Sequence, residues 1–369
     1  TPTDNLEFDT DQSGAATQAI STSVVRSGVS SCTATGNGSG WALFQQQFSA
    51  APSTEAFYAR YYLYIHTTPT SNTQVGTWYN STDMESSLVV TSTRTLELYD
   101  DGGLLVGTYA TPLSTGTWYR IEQLYNSAVD NLDVRLDGTT IIDASCTGCD
   151  GADWFAVGVD DTIASPTGVF YFDDIALNNT SGGSQTSWPG AGSIVHMQPD
   201  GSAGDNNDAS AGTCADIDEI TPDSGTTVAL LNSDLDIIDC TAESSSTAGI
   251  DAFDTVTLVQ VGINEKVDDI VSASWALRVK SASGGTTSTG TTVTHNDETY
   301  KTNGDTAPRN YSLTSYTDPT TGIAWTPTGT NSLDAMQIGA QSIDASPDVR
   351  VTTLWGLIEY VDGAAPVAA

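Results

Sequence analysis

The sequence predicts an all-β protein made of two tandem β-sandwich (jelly-roll) domains, and three observations carry that expectation. Apolar residues recur with a period of two, where a helix would repeat every 3.6 residues. Gly, Ser, Thr, Asn and Asp separate these runs into about a dozen short strands in the first half. One stretch, 178–192 (NNTSGGSQTSWPGAG), has no period and concentrates Gly, Ser, Asn and Pro, as a linker does. At 369 residues the chain also exceeds what a single hydrophobic core usually serves. The expected boundaries are a first sandwich over 1–180, a linker over 181–191, a second sandwich over 192–362 and a frayed tail over 363–369.

Taken in order, 56–65 places Phe57, Ala59, Tyr61, Leu63 and Ile65 on a drier strand face. Tyr58, Arg60, Tyr62 and Tyr64 fall on the wetter one. The run 117–125 (TWYRIEQLY) opposes Tyr119, Ile121 and Tyr125 to Arg120 and Glu122. In 131–142, Leu132, Val134 and Leu136 alternate with Asp133, Arg135 and Asp137, and Asp137-Gly138 supplies a hairpin turn. The run 168–177 (GVFYFDDIAL) is nearly all apolar but is interrupted by Asp173 and Asp174. In the second half, strands are expected over 226–231, 252–263, 270–280 and 349–361. One short helix is expected over 331–338, where Leu333, Met336 and Gln337 share a face.

Lys and Arg number 11 against 46 Asp and Glu, a formal charge of −35. That balance excludes a protein that grips nucleic-acid phosphates or anionic membrane surfaces, both of which need clustered cations. No apolar run reaches the length of a membrane span, so no membrane insertion is expected. Lysine occurs only as Lys266, Lys280 and Lys301, and a surface so rich in Asp stays hydrated. Five cysteines cannot all pair within one chain. Cys146 with Cys149, and Cys214 with Cys240, are disulfide candidates, each pair open between a bridge and two thiols. Cys32 is left over.

No catalytic centre is expected. His66, His196 and His295 fall in separate segments, and no nucleophile elbow, zinc helix or phosphate loop is present. Glycoside cleavage needs two carboxyls facing each other across a cleft. Asp83 with Glu85 and Asp216 with Asp218 have a strand spacing that could supply such a pair, but neither has a third carboxylate to extend the pattern. A buried Asp173 or Asp174 wants a cation or hydrogen bonds, so a structural calcium held with Glu7 or Asp9 is one expectation. Stacking of sugars on exposed rings is another, with Trp41, Trp78, Tyr79 and Trp154 as candidates and burial in the core as the competing reading.

The succession TWYRIEQLYN, NLDVRLDGTTI and GVFYFDDIAL across 117–177 resembles the concanavalin A-like lectin/glucanase sandwich of laminin-G type. Further on stand SWPG at 187–190, IVHMQPDG at 194–201, DEITPD at 218–223 and DPTTGIAWT at 318–326. With them the order over 50–362 is similar to structural proteins of tailed bacteriophages, in which such a sandwich precedes a second β-domain. The resemblance implies a non-enzymatic structural protein on the exterior surface of a virion: a head decoration, head fibre or tail-fibre-associated part. Its implied partners are itself, as a trimer or pentamer, other virion proteins and surface glycans. The competing expectations are a secreted carbohydrate-binding module and a polysaccharide hydrolase or lyase.

Overall fold

The computed structural model of the chain describes residues 10–48, 52–181, 183–218, 227–233, 235–268, 271–296, 298–300, 312–344 and 348–363. It divides into two compact units, the first running through Ala191 and the second beginning at Gly192. Both are all-β, and no α-helix occurs among the described residues. None of the described helical segments is long and apolar enough to cross a membrane.

The first unit contains β1 (Thr10–Ser13), β2 (Thr17–Ser21), β3 (Ser31–Asn37), β4 (Ala42–Gln47), β5 (Phe57–Thr67), β6 (Thr73–Asn80) and β7 (Asp83–Val90). It continues with β8 (Leu96–Asp100), β9 (Leu105–Tyr109), β10 (Trp118–Asn126), β11 (Asn131–Leu136), β12 (Thr139–Ser145), β13 (Trp154–Asp160) and β14 (Thr167–Asn179). They form two antiparallel seven-stranded sheets, ordered β1-β4-β13-β6-β7-β8-β9 and β12-β11-β10-β5-β14-β3-β2. Alternation does the sorting. Phe57, Ala59, Tyr61, Leu63 and Ile65 of β5 all enter the core, where they meet Ile121, Tyr125, Leu132, Val134, Phe170 and Phe172 from the same sheet. The β11–β12 hairpin turns at Asp137 and Gly138, both with positive φ (50° and 86°), the backbone that a two-residue Asp-Gly turn supplies most readily.

The second unit holds β15 (Ser193–Met197), β16 (Pro199–Asn207), β17 (Ala229–Leu231), β18 (Ile237–Ala242), β19 (Thr255–Val267) and β20 (Ala273–Lys280). After these come β21 (Ser288–Thr289), β22 (Val293–His295), β23 (Ser312–Ser315), β24 (Gln337–Ser342) and β25 (Val349–Val361). One sheet runs β15-β25-β19-β23 with β17 on β25, and the other β16-β18-β24-β20-β21 with β22 on β20. Trp275, Val261, Ile338, Leu354 and their neighbours fill the space between.

The helix expected over 331–338 is corrected. Only Leu333–Ala335 forms a single 3-10 turn, after which β24 begins. Ile338 and Ala340 are both buried at a period of two, and their place in the core outweighs the short helical face. Cys146–Cys149 and Cys214–Cys240 are both disulfides, and Cys32 is buried outside them.

Candidate functional site

The second sheet of the first unit turns one face to the core and the other outward, and strand register sets the outward residues in rows. Tyr64 lies between Trp118 and Tyr171, Tyr62 between Arg120 and Asp173, and Arg60 opposite Glu122 and Ala176. Tyr58 lies between Leu124 and Asn178. Three of these four rows are covered. Over Tyr58 runs the segment 185–190: Asn178 Nδ2 donates to the Ser187 carbonyl (2.8 Å) and Gly190 N–H donates to Glu122 Oε1 (2.8 Å). The Trp188 ring meets Tyr58 edge-on at 5.2 Å, and the Arg135 guanidinium caps the indole at 3.9 Å. This stretch was expected to be a linker; its 185–190 part is a strap docked on the sheet. Arg60 is fully buried and donates from Nε to the Asp174 carbonyl (3.0 Å). The Arg26 guanidinium lies 3.5 Å from the centre of the Tyr62 ring.

The fourth row is open. Tyr64, Trp118 and Tyr171 are half-buried and His66 is exposed. Tyr64 is 5.2 Å from Trp118, 5.9 Å from Tyr171 and 6.3 Å from His66, and His66 is 5.7 Å from Tyr171. Four rings thus form one platform. Beside it Arg120 pairs through Nε with Glu122 (3.3 Å) and rests on Gly138, where a Cβ would fall 2.5 Å from the guanidinium. Five arginines precede Ala191, and Arg26, Arg60, Arg120 and Arg135 all lie on this face. In a chain of charge −35, four of the eleven cations thus gather on one face. Clustered rings with flanking planar cations suit a ligand that has both apolar C–H faces and many hydroxyl or carboxylate acceptors.

Asp173 and Asp174 sit in a bulge of β14, where the register against β5 shifts and Asp174 takes φ 50°. Protein groups answer both carboxylates. Asp173 accepts from the N–H of Arg26 (2.8 Å), of Ser27 (3.4 Å) and of Asp174 (2.9 Å), while Arg26 and the Ser27 hydroxyl engage the Asp174 carboxylate. Arg26 places a positive charge on the Asp174 carboxylate. Glu7 and Asp9, the other expected ligands, lie outside the described residues. Among the described residues no group of three His, Cys, Asp or Glu side chains could hold a metal ion.

Burial, and then the charge of Asp174, push the Asp173 carboxyl up to about 7, against the pull of its backbone donors. Its folded value stands above its unfolded one, so the folded state holds the extra proton between about pH 4 and 7. Stability is then lost as pH rises through that window. Asp173→Asn keeps an acceptor for Arg26 N–H. Its melting temperature is expected to match the wild type near pH 4.5 and exceed it by a few degrees at pH 7.5, measured by calorimetry.

The structure scatters the rings expected to stack on sugars. Trp78 is 1 % exposed and packs between the sheets against Phe155 (4.6 Å), Phe48 and Tyr125, so it is core. Tyr79 is buried with Leu43, Met84 and Ala156 in a small cluster, which the half-buried Trp154 flanks, and its hydroxyl donates to Asp160 (2.5 Å). Burial first, and then Asp160, raise that phenol well above its ordinary value. Trp41 is 39 % exposed, next to Gly14 at the head of β4 in the other sheet. None of the four belongs to the Tyr64 platform. Of the carboxylates weighed for catalysis, Glu85 is buried and accepts from Tyr125 Oη (2.7 Å) and Asp150 N–H (3.0 Å), and Asp216 accepts from Thr213 N–H (2.8 Å).

Sequence reasoning missed Tyr64, His66, Trp118 and Tyr171. A signal was present: Tyr64 and Trp118 share the parity of Arg60 and Arg120, so large rings fall on the polar side of two strands. Without the pairing register, their meeting with Tyr171 was invisible.

No known protein family matches the chain, and no curated protein matches it. Among solved structures it is similar to "Cellulose induced protein, Cip1" at 16% identity and TM-score 0.39, covering 48% of this chain and 89% of that one. It is also similar to a carbohydrate-binding module, CBM66 from Bacillus subtilis (12%, TM-score 0.32, 45% and 96%). A third is alginate lyase AlgAT5 of polysaccharide lyase family 7 (11%, TM-score 0.30, 38% and 79%).

Proposed function

We propose that the protein is a non-catalytic glycan-binding protein whose first unit takes carbohydrate on the Tyr64–His66–Trp118–Tyr171 platform. The observation that carries this is the clustering of four partly open rings, each within 6.3 Å of Tyr64 or Tyr171, at the uncovered end of this sheet face. Sugar rings offer the C–H faces that such rings stack, and Arg120 offers planar donors beside them. Non-catalytic action is supported by Glu85, whose carboxylate is already engaged by Tyr125 and Asp150. The setting is display on the exterior of a tailed virus particle, supported by the order of motifs over 117–326 and by the hydrated acidic surface. Imaging of particles labelled with an antibody to this chain tests that setting, and bare particles overturn it.

Binding is tested by titration calorimetry of the intact protein against a panel of neutral and uronate oligosaccharides. Saturable binding to at least one class, with no new reducing or unsaturated ends, is the expected result. Silence across the panel, or release of cleaved product, overturns it.

A further inference from the structure

Resting on the reading of the platform as a glycan site, we propose that it recognises the end of a glycan chain. The rest of the sheet face acts as a wall that stops a chain from running through. The rows along β5 show it. At Tyr64 the face is open, and at the next outward position, Tyr62, the Arg26 guanidinium lies over the ring, paired with Asp174, while the Arg26 backbone N–H donates to Asp173. One position further, Arg60 is wholly buried. At Tyr58 the strap closes the face with Trp188.

The open area is two outward strand positions long, His66 and Tyr64, or roughly 7 Å at the rise of a strand. It is three strands wide, or roughly 10 Å at the spacing of neighbouring strands. That is the footprint of a terminal sugar or a disaccharide. A polymer laid along β5 would have to displace the Arg26 guanidinium from the Tyr62 ring and from the buried Asp174 carboxylate, which burial makes costly.

The closed side also gives the end its chemistry. Arg120 flanks it beside Trp118, anchored by Glu122, so planar donors stand where a chain would terminate. A terminal residue rich in hydroxyls, or bearing a carboxylate, would meet them; a mid-chain residue would have to lie there with a further sugar behind it, where no space is left.

Two length series, β-1,4-linked glucose and β-1,4-linked mannuronate, each from disaccharide to long polymer, are titrated against the intact protein. With the series that binds, the expected result is affinity per chain constant within about twofold from trisaccharide to polymer, with one protein per chain. Affinity per chain that climbs with length, or several proteins on each polymer, overturns the wall and leaves the platform standing. No binding in either series, with other members of the panel bound, moves the same length test to that sugar. No binding to any glycan overturns both.

The variants Arg26→Ala and Trp188→Ala test the wall directly. The number of proteins bound per polymer is expected to rise above one in the double variant, with folding checked by circular dichroism. A folded double variant that stays at one protein per chain overturns the wall. If the double variant fails to fold, the wild-type length series decides alone.

Discussion

Trp118→Ala is expected to weaken glycan binding roughly thirtyfold, about 2 kcal/mol, with little change in melting temperature. Trp118 is half-buried on the outward side of β10 and among the described rings meets only Tyr64, at a tilt of 52°, so its removal opens no cavity between the sheets. Tyr64→Ala should lose more, because Tyr64 touches all three other rings of the platform. Trp41→Ala is the control: an exposed tryptophan on the other sheet whose loss should leave the titration unchanged. If Trp41→Ala lowers affinity and Trp118→Ala does not, the site is on the other sheet.

The largest expected effect on stability lies at Trp78. Truncation to alanine removes an indole packed against Phe48, Phe57, Tyr125 and Phe155, and losses of this kind run about 3–5 kcal/mol. For a unit of this size that lowers the melting temperature by roughly 10 °C. The indole Nε1 is buried with no hydrogen-bond partner among the described residues, which carries a desolvation penalty of its own. Trp78→Phe and Trp78→Leu both delete the orphan donor, and Phe, which keeps an aromatic ring against these neighbours, should cost much less than Leu. Equal losses for Phe and Leu, measured by calorimetry, would refute the contribution of aromatic packing at this position.

The layout of the core was legible because it depends on parity alone. Phe57, Ala59, Tyr61, Leu63 and Ile65 alternate, and all five are buried. The Asp137-Gly138 turn announced its hairpin through two residues that tolerate positive φ. What parity cannot tell is what lies over the other side of a strand. Arg60 and Tyr62 read as the wet face, yet the 26–27 loop and the Asp174 carbonyl cover them, and these are distant in sequence. The same gap explains Trp78, whose aromatic character is equally consistent with a loop and with a core. It applies to Asp173 as well: a buried carboxyl demands donors, and only the fold shows that the backbone N–H groups of Arg26 and Ser27 provide them. Asn331–Ile338 failed for a different reason, since three residues at helical spacing are weak against four that continue a strand.

The docked strap decides where the first unit can be cut. Composition suggests a break after residue 180, but a fragment ending there would strip the indole from Tyr58 and Arg135 and leave the Glu122 carboxylate without the amide of Gly190. A greasy, charge-frustrated strip would then be laid bare, and such a fragment should clump at concentrations where one ending at Ala191 stays dispersed.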